Sequence, residues 1–150
     1  MTRALSAVEP DMRYGDDETI RRLLTDTSVW AVAGLSTNRA RTAYPVAAAM
    51  RARGVRTIPV HPDAPTVDGE TGYRRLADIP EPVDVVNLFV RSELAGPLVD
   101  EAVAIGARAV WLQLGVRDDA AAARAEAAGL AVVMDTCPLI EGPRLLDWAA

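Results

Sequence analysis

Trp30-Ala-Val-Ala-Gly-Leu-Ser-Thr-Asn-Arg-Ala-Arg-Thr-Ala-Tyr-Pro-Val46 is the stretch whose reading decides the fold. Val29–Ala33 is an unbroken apolar run, the pattern of a strand buried on both faces of a parallel sheet. Gly34 turns the chain into a polar loop carrying Ser36, Thr37, Asn38, Arg39, Arg41 and Thr42, and Pro45 suits the first turn of a helix. Strand, glycine and helix start together bring free backbone N–H groups and a partial positive charge to one point, which attracts phosphate. Gly34 is then either a left-handed turn glycine or a point of phosphate approach, and the polar loop after it favours the second. Ser36 and Thr42 serve equally as turn or cap hydroxyls. Arg39 and Arg41, two guanidinium groups at a helix start, favour an anion over a solvated surface pair.

Outward from this stretch, strands and helices alternate. Asp16-Asp17-Glu18 opens a helix over Glu18–Leu24, acidic in its first turn. After the central loop come a helix over Pro45–Arg53, stopped by Gly54, and a second strand, Thr57–His61, interrupted by Pro59. Residues 67–73 form an irregular excursion, and Leu76–Pro82 a turn or one-turn helix. The third strand is Val83–Phe89; Ser92 caps a helix over Glu93–Ile105, unless Pro97 delays its start to about Gly96. A fourth strand (Ala109–Leu112), an alanine-rich helix (Asp118–Ala128), a fifth strand (Ala131–Met134) and a last loop and helix (Leu139–Trp148) complete the chain. Met1–Gly15 has no period and reads as a loose or wrap-around arm. The alternation predicts one α/β domain, a Rossmann-like doubly wound parallel sheet of five strands in the order 3-2-1-4-5 with helices on both faces.

Composition narrows the chemistry. The chain has 150 residues, half of them hydrophobic, and a formal net charge of −5, which argues against broad binding to nucleic acid or anionic lipid. All 16 basic side chains are arginine, so Schiff-base and Walker-type lysines are excluded. One cysteine and one histidine exclude an internal disulfide and multi-cysteine or histidine-pair metal sites. No apolar run reaches the roughly 18 residues of a spanning helix, and the first residues lack the pattern of a secretion signal, so a cytoplasmic protein is expected.

Ligands of such folds sit outside the carboxyl ends of the strands. That rule gathers the 34–42 loop, His61-Pro62, Phe89 to Ser92, Gln113 to Gly115, and Asp135 to Pro138. His61 reads as a ligand-lining group rather than a catalyst. Arg91 opens where a pocket begins, Gln113 offers a polar group at a strand end, and Trp30 and Trp111 belong to the core. The dinucleotide fingerprint fails: Ser36 and Arg39 stand where its second and third glycines belong. The acidic residue expected about 20 positions on is replaced by His61-Pro62.

Gly34-Leu35-Ser36, Arg41, Tyr44 and Val46 resemble the first loop and helix of the bacterial CoA-binding-domain proteins, a small single-domain Rossmann-like family. The resemblance continues through Ile58-Pro-Val-His-Pro62, Leu76–Val86, Phe89, Arg91, Ala104–Ala107, Val110–Gly115, Val132–Asp135 and Cys137, covering roughly residues 18 to 146. The family is related in fold to the CoA-binding domain of succinyl-CoA synthetases. What the resemblance implies is coenzyme A or acyl-CoA as ligand, with the pyrophosphate at the 34–42 loop and the adenosine toward His61-Pro62. Leu35, Tyr44, Pro62, Phe89, Gly115 and Cys137 join the expected contacts on the same ground. His61, Thr136 and Ala43 stand where family members often carry asparagine, arginine and serine. Cys137 is either a buried small hydrophobe or the partner of the ligand thiol in a mixed disulfide.

The resemblance implies no catalytic set, and the expected role is a non-catalytic carrier, sensor or regulatory module. Two other readings stand beside it. One is an NAD(P)-dependent oxidoreductase, weakened by the failed fingerprint. The other is a partner-binding domain with a vestigial pocket, using its helix faces and the Trp148 segment for a homodimer or another protein.

Overall fold

Five parallel strands alternate with five helices in the computed structural model, which describes residues 14–148. We number the strands β1 (Val29–Ala33), β2 (Arg56–Val60), β3 (Val85–Leu88), β4 (Ala109–Gln113) and β5 (Ala131–Thr136). The helices are α1 (Asp17–Thr25), α2 (Ala43–Ala52), α3 (Ser92–Ala104), α4 (Asp119–Ala127) and α5 (Pro138–Leu145), with a 3-10 turn at Leu76–Asp78. The expected arm falls largely on residues 1–13, outside the described residues, while Tyr14 is buried against the core.

Period-two alternation along each strand feeds two cores. Ala31, Val86, Val110 and Val132 face α3 and α4. Trp30, Val32, Trp111 and Val133 face α1, α2 and α5, where the Trp30 and Trp111 rings lie 5.5 Å apart. Both indoles are fully buried with their N–H groups bonded, Trp30 to Thr27 Oγ1 and Trp111 to the Thr136 carbonyl, as buried tryptophans require.

The strand order is 2-1-3-4-5, which corrects the expected 3-2-1-4-5. The reason lies in Pro59. Val60 accepts a bond from the Gly34 N–H on the β1 side, so Pro59, one residue away, turns its backbone outward; its carbonyl accepts from the Tyr73 N–H. A proline facing outward leaves no gap in the ladder, whereas β2 flanked on both sides would have one. β2 is therefore an edge, and the excursion 67–73 runs along it: Val67 and Glu70 pair with each other, and Tyr73 bridges Val60. β3, buried at all four positions, is central instead of an edge. The chain crosses from β2 over β1, so its direction of winding switches between β1 and β3, which is where ligands of this strand order bind.

Boundaries moved little. α2 begins two residues before Pro45, and α3 runs through Pro97 from Ser92. Ser92 is not the cap of α3. Arg91 holds that position, and the Ser92 hydroxyl donates to the Gly115 carbonyl and accepts from the Arg117 N–H, joining the start of α3 to the end of β4.

Candidate functional site

The 34–42 loop is built by its own polar side chains. The Asn38 N–H donates to Ser36 Oγ, the Ala40 N–H donates to Asn38 Oδ1, and the Arg41 N–H donates to the Asn38 carbonyl. Among the described residues the N–H groups of Thr42 and Ala43 have no acceptor, so the start of α2 presents unmet donors and the positive end of its dipole. Gly34 has φ +99°, and a β-carbon there would press into the Phe89 carbonyl oxygen, so the crossing of β1 and β3 itself demands glycine. Its N–H is already given to Val60, and that of Leu35 to Val32.

A cavity of about 880 Å³ opens above this switch point. On one side stand Gly34, Arg41 and Thr42, with His61 and Pro62 after β2. The opposite walls are Phe89 to Arg91 with Leu94, the turn Gln113–Val116, and Cys137. Arg41 and Arg91 are exposed at its rim and form no ion pair among the described residues. His61 Nδ1 accepts the Asp63 N–H at 3.1 Å, which leaves Nε2 as the protonated edge of the neutral ring. The Gly115 turn is pinned by Asp135, a non-glycine residue at φ +58°. Its Oδ1 accepts the Gly115 N–H at 2.7 Å and its Oδ2 pairs with Arg117 at 3.1 Å. Cys137 is buried and occupies the cap position of α5.

Ten of the residues expected from the sequence thus line one cavity: Gly34, Arg41, Thr42, His61, Pro62, Phe89, Arg91, Gln113, Gly115 and Cys137. Four do not. The Leu35 side chain is fully buried in the core under α2, beside Trp30 and Val32, because the left-handed turn at Gly34 breaks the alternation that would have placed it with Ala31 and Ala33. Ser36 Oγ is held by its local turn. Arg39 lies over the Tyr44 ring, 5.3 Å from its centroid, and the Tyr44 hydroxyl bonds Asp68. The wall also includes Leu114, inside the expected Gln113 to Gly115 turn, and Leu94, outside every expected segment, each about half exposed. Leu94 was readable in retrospect: it is apolar but lies off the buried Ala95–Val99–Ala102 stripe of its helix.

Residues 28–143 match the family model described as CoA binding domain, a span that includes every residue lining the cavity. The chain belongs to this family. The CoA binding domain described here is also 33% identical over 118 residues to the Bacillus subtilis protein YneT, covering 79% of this chain and 87% of that one. A hypothetical protein from Pyrococcus horikoshii superimposes with a TM-score of 0.82 at 35% identity, covering 86% of this chain and 91% of the other. A Thermus thermophilus structure gives 0.81 at 31% identity, covering 87% and 99%. No helix among the described residues is long and apolar enough to cross a membrane, and no group of three or more His, Cys, Asp or Glu is placed to hold a metal ion.

Proposed function

We propose that this protein binds coenzyme A or an acyl-CoA and acts as a non-catalytic carrier, sensor or regulatory module in the cytoplasm. The observation that carries the reading is the coincidence of the family match with the cavity at the β1/β3 switch point. The chemistry of the walls supports it. The pyrophosphate meets the unmet N–H groups at the start of α2 and the unpaired guanidinium of Arg41. The adenosine lies toward His61-Pro62, and the pantetheine arm runs along the apolar side formed by Phe89, Leu94 and Leu114.

Calorimetric titration with CoA, dephospho-CoA, NAD and NADP tests this. CoA is expected to bind best, and Arg41→Ala to weaken it about tenfold or more, the loss of one bond to a charged group. Preference for NAD would overturn the reading in favour of an oxidoreductase. Silence toward all four ligands would favour a partner-binding domain.

A further inference from the structure

Among the described residues three buried side-chain oxygens lack a hydrogen-bond partner: Asn87 Oδ1, Glu101 Oε1 and Gln113 Oε1. Asn87 sits in the middle of the sheet with its amide nitrogen tied to the Trp111 carbonyl, and Glu101 is on α3 away from the cavity. Gln113 differs from both, since it lines the cavity. It is only 5% exposed, and its side chain makes no hydrogen bond among the described residues. A buried amide oxygen without a partner is costly to a protein, and one on a residue of a cavity wall marks a place where a ligand supplies the missing bond.

We infer that Gln113 is the residue that reads the pantetheine arm, by pairing its amide with an amide of the ligand; this rests on the CoA reading above. The match is chemical. A primary amide offers an acceptor and donors side by side, and a secondary amide answers with one N–H and one C=O. Phosphate has acceptors alone. Adenine also offers a donor beside an acceptor, but position argues against it. Gln113 ends β4, two strands from β1 and three from β2, hence about 10 Å and 14 Å from the phosphate loop and the His61-Pro62 edge. Its cavity neighbours on that side are Leu94, Leu114 and Cys137, surroundings that suit an apolar chain with amides in it rather than a nucleotide.

The test compares CoA with 3′-phosphoadenosine 5′-diphosphate, which keeps the nucleotide and lacks the arm, on wild type and Gln113→Met. CoA affinity is expected to fall about tenfold in the variant while the nucleotide's stays within about twofold. Thermal unfolding of the free variant should come no lower than that of wild type, because the substitution removes an orphaned polar group. CoA analogues with one arm amide replaced by an ester give an independent arm on the wild-type protein. One of them should lose the same factor, and that loss should vanish in Gln113→Met. Equal weakening of both ligands would make Gln113 an adenine contact or a structural residue and overturn the inference. So would unchanged CoA affinity in the variant, or analogues all as tight as CoA. Wild type binding CoA no better than the nucleotide would overturn the inference alone, and wild type binding neither would overturn the proposed function with it.

Discussion

Gly34 and Gly115 both have left-handed backbones, at φ +99° and +87°, yet only Gly34 is also closed in by its surroundings. A β-carbon at Gly115 meets nothing within 4 Å, whereas one at Gly34 collides with the Phe89 backbone. Gly115→Ala should therefore cost only the left-handed penalty, about 1–2 kcal/mol. Gly34→Ala should cost distinctly more, above about 3 kcal/mol, because two strand ends must move as well. Urea unfolding of the two variants checks the order. The sequence pointed to Gly34 through the turn between strand and polar loop, but not to the neighbouring backbone that requires it, since Phe89 is brought there only by the sheet. The same limit explains Leu35 and Tyr44. Strand period alone would set Leu35 with Ala31 and Ala33, but the turn at Gly34 sends it to the opposite core, beside Trp30 and Val32.

At the scale of elements, the strands and helices were legible within a few residues, because apolar runs punctuated by glycine leave little choice in a parallel sheet. The order of the strands was missed although Pro59 announced an edge; the signal was read as an interruption and not as a position. Asp84, just before β3, shows what ties the strands at their other end. Its Oδ2 accepts the Ser28 and Val29 N–H groups at 2.8 and 3.0 Å, and its Oδ1 faces Arg108 at 3.4 Å. Burial opposes ionisation of this carboxyl, but those donors together outweigh it and hold the group below its ordinary range. A carboxyl that titrates lower when folded contributes fully above the unfolded value of about 3.9 and loses that contribution as pH falls through the folded one. Asp84→Ala should thus cost about 1–2 kcal/mol at neutral pH. The gap between variant and wild type should narrow as pH falls below the unfolded value, as measured by urea midpoints from neutral to acid pH.

For the whole molecule, charge sets two effects against each other. The chain carries −5 overall, yet the cavity rim holds Arg41 and Arg91 without acidic partners among the described residues. An anionic ligand is repelled by the total and attracted by the rim. Screening acts over about 8 Å at 0.15 M salt, so distant like charges fade first and contacts at the rim persist longer. If the rim governs affinity, the CoA dissociation constant should rise steadily as salt is added; if the total governs, it should fall. Calorimetry at several ionic strengths decides between them. The outward-facing Pro59 also has a bearing on assembly. The Pro59 carbonyl and the His61 N–H are both engaged by Tyr73, so the carboxyl end of the β2 border is already occupied. Among the described residues no strand lies beyond β5, so a neighbour joined by strand addition there would lie beside Ala131–Thr136, at the opposite flank from the 67–73 excursion.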